Sequence, residues 1–408
     1  MRTLVIGGDY PWPEDRGPRL RLAMVLRGLR RCGSVDLFSA VSIHRRDFDP
    51  PDPRLGLDRV CWVGFDNAPP TGAALVANLV RPNLPLGMPR QDSATVRRAL
   101  ARFASGRYDL VWYFGARPWV LVGQPLQAPT VIDLDDLEDQ KILGRLSVPR
   151  SVPTSAWERA RRAGSTAVAR EEVRRWRRLH RAAGRHAELV LCSELDAQRA
   201  RSSGAARVAV IPNGYRSVER PLGRPTAGHP PTVLFQGLLR YPPNIEGARW
   251  LVREVLPDLR SRIPDVTVRL VGDHGPELEE LHDPPRVFVV GRVPDMADEL
   301  ARADLVVVPV RYGSGTRVKI LEAFAHRIPV VSTSAGAEGI GGVDGIHLLL
   351  GDEPRALVDG CVRLLTEPAL RQGMTDRAHL LFEERFRSER IEEMVAGLAH
   401  RLVAGRRT

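Results

Sequence analysis

A strand, a glycine loop and an apolar helix follow one another without interruption in residues 305–325, LVVVPVRYGSGTRVKILEAFA. The opening run of valine and leucine is typical of a parallel strand that is covered on both faces. Gly313 and Gly315 permit a tight turn. The helix that follows presents unpaired backbone N–H groups at the positive end of its dipole. This stretch predicts one unit of a doubly wound α/β sheet, and its loop predicts a phosphate site.

Lysine is nearly absent from the chain. Of the 60 lysines and arginines, only Lys141 and Lys319 are lysines. Lys319 lies in the predicted phosphate loop, where a compact ammonium suits an anion differently from the broad guanidinium fork. Lys141 has no such context in the sequence. A surface lysine retained by chance stays open as the other explanation of Lys319.

Composition indicates an ordinary globular protein of two or three domains. The chain has 408 residues, of which 43% are hydrophobic, and no apolar run approaches the roughly 18 residues of a membrane helix. Residues 1–8, MRTLVIGG, start as a buried strand without the design of a signal peptide, so we expect a cytoplasmic location. The four cysteines and ten histidines are scattered, which argues against a disulfide framework or a zinc site.

The net charge of +11 raises the question of nucleic acid. The arginines are spread among acidic residues and form no known nucleic-acid module, so we expect no nucleic-acid partner. The densest basic stretch, residues 159–185, also contains Glu171 and Glu172 and is typical of a solvated helix face. Codon bias and peripheral binding to the anionic inner face of the cell membrane stay open as explanations of the charge.

Both halves of the chain repeat the same alternation of short apolar strands and amphipathic helices. We predict a first domain at 1–211, a Pro/Gly-rich linker at 212–230, a second domain at 231–385 and a final helix at 386–408 that packs back on the first domain. A long arginine-rich helix is expected near 167–185, and a further helix is expected at 245–259. The predicted strands lie at 3–6, 35–38, 59–62, 110–113, 130–132, 189–192, 208–211, 232–235, 267–271, 287–290, 305–310, 330–332 and 347–350.

Four glycine loops follow apolar strands of the second half in order. They lie at 236–237, 271–273, 291–295 and 313–319. One such loop is a weak signal, because tight turns need glycine in any case. Four in order indicate a ligand site at the carboxyl edge of a parallel sheet.

The ordered motifs resemble the retaining GT-B glycosyltransferases of family 4. They are VIPNG (210–214), GLLRYPPN (237–244), VGRVPD (290–295), GSGTRVKILEA (313–323) and PVVST (329–333), and the resemblance is densest over 208–386. It implies an α/β GT-B enzyme with two Rossmann-like doubly wound domains that face each other across a cleft. It further implies transfer of a sugar from a nucleoside diphosphate to an acceptor hydroxyl, with retention of configuration, in glycan, cell-envelope or glycoconjugate biosynthesis.

The resemblance also implies roles for individual residues of the second domain. Glu322 matches the glutamate that accepts hydrogen bonds from the ribose, and 291–293 match the segment beside the base. Arg317 and Lys319 would neutralise the leaving diphosphate, so no metal ion and no cofactor are expected. The donor-binding residues implied in this way are Gly237, Arg240, Asn244, Gly291, Arg292, Val293, Ser314, Gly315, Thr316, Val318 and Glu322.

The first domain resembles the family less closely. Residues 10–13 (YPWP), Gly17 and Arg21 are similar to the loop after its first strand, and 130–136 (TVIDLDD) to the strand that leads to the catalytic residues. The carboxylates of Asp133, Asp135 and Asp136 could bind an acceptor hydroxyl, act as a weak base, or cap the next segment. The acceptor-side candidates are Gly17, Arg21, Asp133 and Asp136. Asp135 joins Arg317 and Lys319 as a catalytic candidate.

Several departures from the family pattern leave questions open. Ser314 occupies the place of a second glutamate that touches the donor sugar, so the sugar and the base cannot be carried over. Leu238 and Asn244 replace the usual cations of the first loop, and Asp135 replaces a histidine. The acceptor, whether a lipid-linked saccharide, a glycan or a small molecule, is also open. Alternative functions are a GT-B nucleotide-sugar epimerase or hydrolase and a nucleotide-sugar-binding protein without turnover.

Overall fold

The structure, a computed structural model, describes residues 1–42, 50–65, 76, 78, 84–88, 93–123, 127–148, 155–219, 222 and 229–405. The chain divides into two compact units. Unit 1 contains residues 1–213 and 389–408, and unit 2 contains residues 214–388. Most of the predicted linker, at 220–221 and 223–228, lies outside the described residues. Its beginning is buried, because Asn213 and Tyr215 are both less than a tenth exposed.

Unit 1 is built on a sheet of seven parallel strands in the order β3-β2-β1-β4-β5-β6-β7. Valine and leucine are frequent in the central strands, which are buried on both faces, whereas the edge strand β3 leaves Trp62 exposed. The strands are β1 Arg2–Gly7, β2 Ser34–Ser42, β3 Arg59–Phe65, β4 Leu110–Phe114, β5 Thr130–Leu134, β6 Glu188–Leu191 and β7 Val208–Val210. The helices are α1 Gly17–Arg30, α2 Ser93–Phe103, α3 Ala116–Val122, α4 Glu138–Ser147, α5 Ala156–His186 and α6 Glu194–Ser202.

Unit 2 repeats this plan with six parallel strands in the order β10-β9-β8-β11-β12-β13. Counted within the unit, the order is 3-2-1-4-5-6, that of a dinucleotide-binding sheet, and it reverses between β8 and β11. The strands are β8 Thr232–Gln236, β9 Thr267–Val271, β10 Val287–Gly291, β11 Leu305–Val308, β12 Val330–Ser332 and β13 Leu349–Leu350. The helices are α7 Pro242–Trp250, α8 Leu256–Arg262, α9 Met296–Arg302, α10 Val318–Ala325, α11 Pro354–Thr366 and α12 Pro368–Arg385.

Two helices differ from the sequence prediction. Helix α5 begins at Ala156, well before the expected 167, because Ser155 and Glu158 form a reciprocal capping box that marks a helix start. The single helix expected from Ile245 to Leu259 is instead α7, a π-helical turn at Leu251–Val255, and α8. Pro257 has no N–H to give to a carbonyl four residues earlier, which disfavours regular α-helix there.

The final helix, α13 Ser388–Ala404, packs in unit 1. Its Ile391, Val395, Leu398 and Ala399 join the core layer formed by α1 and one face of the sheet. Gly28 of α1 makes this contact close, since a Cβ there would lie 2.6 Å from the Glu392 carbonyl oxygen. Residues from the two ends of the chain therefore share one hydrophobic core.

Candidate functional site

The carboxyl edge of the unit 2 sheet is formed by the four predicted glycine loops. The Gly237 N–H donates to the Val271 carbonyl over 3.0 Å, and the Gly272 N–H donates to the Gly291 carbonyl over 2.8 Å. Gly272 has φ of 137°, and a Cβ there would lie 1.8 Å from the Gly237 carbonyl oxygen. Only glycine allows the loops to approach so closely. The loops after β8 and β11 meet at the switch point of the sheet, where such sheets bind ligands.

Lys319 lies at this switch point, in the first turn of α10. Its ammonium donates to Asn244 Oδ1 over 3.1 Å and lies 4.3 Å from the centre of the Phe235 ring. Gly237 leaves room for it, since a Cβ there would come within 3.1 Å of Nζ. Burial, together with the nearby Arg317, lowers the pKa of Lys319 to about 7. The ammonium is therefore held in a half-buried position where an anion would restore its charge.

Arg317 precedes α10 as its N-cap residue, and no side chain caps this helix start. One guanidinium nitrogen donates to the carbonyls of Ser314 and Gly315. The Nε and Nη2 atoms are buried without hydrogen-bond partners. Buried donors of this kind are costly unless a ligand satisfies them. Ser314, Gly315 and Thr316 form the buried wall of the same loop.

Glu322 lies one turn along α10 and is engaged by two residues that sequence reasoning missed. Tyr215 Oη donates to Glu322 Oε1 over 2.8 Å, and Gln236 Nε2 donates to Oε2 over 3.3 Å. Burial raises the pKa of Glu322, while both hydrogen bonds favour the charged form. A carboxylate has further lone pairs, so it can still accept from a ligand. Gln236 had a sequence signal, as a polar residue that ends a buried strand directly before Gly237.

His326 is a third residue that sequence reasoning missed. It lies one turn after Glu322 and is 5% exposed, and both of its ring nitrogens lack hydrogen-bond partners. Burial and the charge of Arg216 lower its pKa to about 4, so the ring is neutral near pH 7. Its ring meets that of Tyr215 edge-on, with 6.1 Å between centroids.

The remaining donor-side candidates lie on neighbouring loops. Gly291 faces His274, whose Nε2 would be 3.6 Å from a Cβ at position 291. Arg292 is exposed and Val293 is half-buried. Arg240 is exposed and forms an ion pair with Asp273 over 2.9 Å. The structure thus brings Gly237, Asn244, Arg317, Lys319 and Glu322 together as one cluster, which we call the Lys319 site. Arg240 instead pairs with the adjacent loop.

Unit 1 has its own polar network at the carboxyl end of β5. Arg21 of α1 donates to Asp133 Oδ1 over 2.6 and 2.9 Å, and both residues are 1% exposed. Burial alone would lower the pKa of Arg21, but the Asp133 carboxylate outweighs it and raises that pKa. Arg21 also donates to the Ile211 carbonyl and to Asn213 Oδ1. This pair lies in the interior, and its acceptor-side role stays a prediction.

Asp135 and Asp136 diverge after β5. Asp135 is half-buried, and its Oδ1 accepts from Asn213 Nδ2 over 2.9 Å. Asp136 forms an ion pair with Lys141 over 2.7 Å. Burial and the nearby Asp135 and Glu138 raise the pKa of Asp136 to about 6, although Lys141 opposes them. Lys141 has no evident context in the sequence, and the structure places it against this carboxylate.

The other acceptor-side candidate, Gly17, is the first residue of α1 and is half-buried. It lies one helical turn before Arg21, which reaches the β5 network from the same helix. Gly17 therefore begins the helix that positions Arg21. Having no side chain, it could contact an acceptor only through its backbone.

Among the residues that the structure describes, no group of three or more histidine, cysteine, aspartate or glutamate side chains is arranged to hold a metal ion. In that same part of the chain, no helix combines the length and apolar character needed to cross a bilayer.

The second half of the chain matches a known sequence family. Residues 230–367 match the family described as Glycosyl transferases group 1. A similar curated protein is the N-acetyl-alpha-D-glucosaminyl L-malate synthase of Bacillus anthracis, 32% identical over 136 residues, which are 31% of this chain and 35% of that protein. The matched segments cover about a third or less of the curated relatives' own lengths.

Solved structures resemble the whole chain. A sucrose-phosphate synthase from Thermosynechococcus elongatus superposes with a TM-score of 0.69 and 18% identity, over 99% of this chain and 100% of that one. HepE of Anabaena in complex with UDP-glucose superposes with a TM-score of 0.61 and 18% identity, over 98% of this chain and 100% of that one. The predicted α/β fold with two Rossmann-like domains, the GT-B fold, is thereby confirmed.

Proposed function

We propose that this protein is a retaining glycosyltransferase that transfers a sugar, of the hexosyl or a related class, from a nucleoside diphosphate to an acceptor hydroxyl. The Lys319 site is the observation that carries the proposal. Its cationic side chains and the uncapped start of α10 converge at the switch point of a dinucleotide-type sheet, a geometry suited to a diphosphate. The group 1 match over residues 230–367 and the UDP-glucose complex of HepE support a nucleotide-sugar donor.

Charge stabilisation dominates the proposed reaction. The bond between the anomeric carbon and the phosphate oxygen breaks, and its electron pair leaves with the nucleoside diphosphate. The Lys319 ammonium and the unpartnered Nε and Nη2 of Arg317 donate to the oxygens on which this charge develops. These cations supply what a metal ion would otherwise supply, so the proposed reaction is metal-independent.

The acceptor completes the reaction. Its hydroxyl oxygen bonds to the anomeric carbon on the face that the phosphate leaves, and its proton passes to the departing phosphate or to a carboxylate. Asp135 is the proposed carboxylate, held by Asn213. Glu322 accepts hydrogen bonds from the ribose hydroxyls on the lone pairs that Tyr215 and Gln236 leave available. The acceptor belongs to glycan, cell-envelope or glycoconjugate biosynthesis.

Saturation-transfer NMR with UDP-, GDP-, ADP- and dTDP-sugars tests donor binding, and product analysis with the bound donor tests transfer. We expect Lys319→Met to lower kcat by about 10²–10³, the range seen when one donor to a developing charge is removed. Arg363→Met is the matched control, because this exposed cation of unit 2 pairs with Glu367 at the surface. The proposal fails if none of these nucleotide sugars binds.

Incubation with the donor alone separates the alternatives. An epimer or free sugar formed without any acceptor would identify an epimerase or hydrolase, and binding without turnover would identify a binding protein. Activity that persists in EDTA and does not rise with added Mg²⁺ is expected. A strict requirement for a divalent cation would contradict the role given to Arg317 and Lys319.

A further inference from the structure

The first half of helix α5 contributes no buried residue to the described part of unit 1. Every residue from Ser155 to Arg161 is exposed, and none from 162 to 170 is buried. A Cβ at Gly164 would meet nothing within 4 Å. The second half of the same helix behaves differently, since Trp176 and Leu179 belong to the unit 1 core. Residues 155–170, which we call the basic projection, therefore form a helical segment that is mostly exposed to solvent.

Local hydrogen bonds at its first turn stabilise the start of this helix. The Ser155 hydroxyl accepts from the Glu158 N–H over 3.1 Å, and the Glu158 carboxylate accepts from the Ser155 N–H over 3.3 Å. Sixteen residues of α-helix extend about 24 Å. Most helices in proteins owe their stability to packing of an apolar face, whereas this capped segment is only half-buried at Arg162, Thr166 and Ala169 and leaves its other residues exposed. Its exposed surface is therefore available to a partner outside the unit.

The chemistry of the basic projection selects an anionic partner. It contains four arginines and one acidic residue, and that residue, Glu158, is occupied in the cap. A shallow groove of about 450 Å³ runs along one side, and none of the described residues that line it carries a carboxylate. The groove is lined by Arg159, Arg162, Ala163, Thr166, Ala167 and Arg170.

Two large apolar side chains distinguish this surface from a site for a soluble anion. Trp157 is 68% exposed and Val168 is 57% exposed. The Arg161 guanidinium lies 5.2 Å from the centre of the Trp157 ring, an aromatic–cation pair suited to the boundary between lipid tails and headgroups. A soluble phosphate or a nucleic-acid backbone would use the arginines but would leave the valine in water.

We propose that the basic projection docks unit 1 on an anionic phospholipid surface, with the arginines on headgroup phosphates and Trp157 in the interfacial layer. This inference goes beyond the proposed transferase activity and does not depend on it. It makes the protein peripheral to a membrane, consistent with helices that lie on bilayers by combining basic and aromatic residues.

Vesicle co-sedimentation of the full chain tests the proposal. The protein should bind vesicles of mixed phosphatidylcholine and phosphatidylglycerol and should not bind vesicles of phosphatidylcholine alone. Replacing Arg159, Arg162 and Arg170 by glutamine should weaken binding on the order of 100-fold, from about 1 kcal/mol per cation near the surface. Trp157→Ala should weaken it several-fold, and the blue shift of tryptophan emission on adding anionic vesicles should shrink in that variant.

A triple variant with substitutions on unit 2 controls for the change in net charge. Arg286, Arg355 and Arg363 are exposed on unit 2, and their replacement by glutamine removes the same charge but should leave vesicle binding nearly unchanged. The proposal is overturned if both triple variants lose vesicle binding equally, or if the unaltered protein fails to bind anionic vesicles. It is also overturned if single-stranded DNA displaces the protein from the vesicles. Nucleotide-sugar binding, measured in parallel, should be the same in every variant, so failure of the transferase proposal is recognised separately.

Discussion

At the scale of single residues, the two lysines of the chain occupy comparable positions. Lys319 follows β11 at the carboxyl edge of the unit 2 sheet, and Lys141 pairs with Asp136 beyond the same end of β5 in unit 1. Each is half-buried and close to a carboxylate. The scarcity of lysine in the sequence therefore marked two polar clusters, of which only the first was recognised.

The depressed pKa of Lys319 predicts a pH dependence of donor binding. The groups that face its ammonium are Arg317 and Glu322 from its own segment, and the Phe235 ring and Asn244 amide from elsewhere. With a pKa of about 7 in the free protein, the ammonium is fully formed only below that pH. A bound diphosphate raises this pKa, so donor binding at higher pH must take up a proton.

We therefore expect donor affinity to be flat below about pH 7 and to fall by up to tenfold per pH unit above it. Isothermal titration calorimetry across this range, in buffers of different ionisation enthalpy, measures both the affinity and the proton uptake. Lys319→Met should bind more weakly, with a profile that no longer changes near pH 7. If donor affinity in that variant still falls with pH as in the unaltered protein, a group other than Lys319 titrates.

At the scale of elements, two helical glycines lie in opposite environments. Gly28 of α1 meets α13 so closely that a Cβ would lie 2.8 Å from Val395 Cβ, whereas Gly164 of α5 faces open space. Gly28→Ala should destabilise the protein by about 1–3 kcal/mol through overpacking. Gly164→Ala should stabilise its helix by about 0.5–1 kcal/mol, because alanine is the better helix former.

Urea denaturation of the two variants, followed by circular dichroism, checks this prediction. The comparison is matched, since both substitutions add the same methyl group to a helix of unit 1. Destabilisation of equal size in both would mean that the approach of α13 to α1 is not the cause. If Gly28→Ala loses no stability, α13 lies farther from α1 than it does in the structure.

The apolar pattern of the sequence predicted the strands better than it predicted the helix boundaries. The alternation of apolar strands and helices predicted each of the thirteen strands found in the described residues, because burial on both faces leaves a continuous apolar run in most of them. The start of α5 was missed although Ser155 and Glu158 carried its signal. The break at Leu251–Val255 was missed because the apolar spacing continues through Pro257 and hides the lost hydrogen bond.

At the scale of the whole molecule, the chain returns to its first unit at its end. Leu398 of α13 is 3% exposed in the unit 1 core, and Leu380 of the preceding helix in unit 2 is 61% exposed. Leu398→Ala should cost about 2–5 kcal/mol of unit 1 stability. Leu380→Ala should change stability by no more than about 0.5 kcal/mol.

Thermal unfolding with a nucleotide-sugar probe distinguishes the units. Because the residues of the Lys319 site all belong to unit 2, Leu398→Ala should lower the melting temperature of unit 1 while leaving donor affinity at low temperature unchanged. A parallel loss of donor binding in the folded variant would contradict the assignment of donor contacts to unit 2 alone.

The sequence by itself determined the alternation of strands and helices, the four glycine loops and the cationic loop at Lys319, because these depend on neighbours within a few residues. Only the tertiary structure decided the strand order that puts the β8 and β11 loops side by side. It alone paired Arg21 with Asp133 and Tyr215 with Glu322, partners more than 100 residues apart. Such pairs depend on which strands become neighbours and in what register, and local periodicity does not encode that choice.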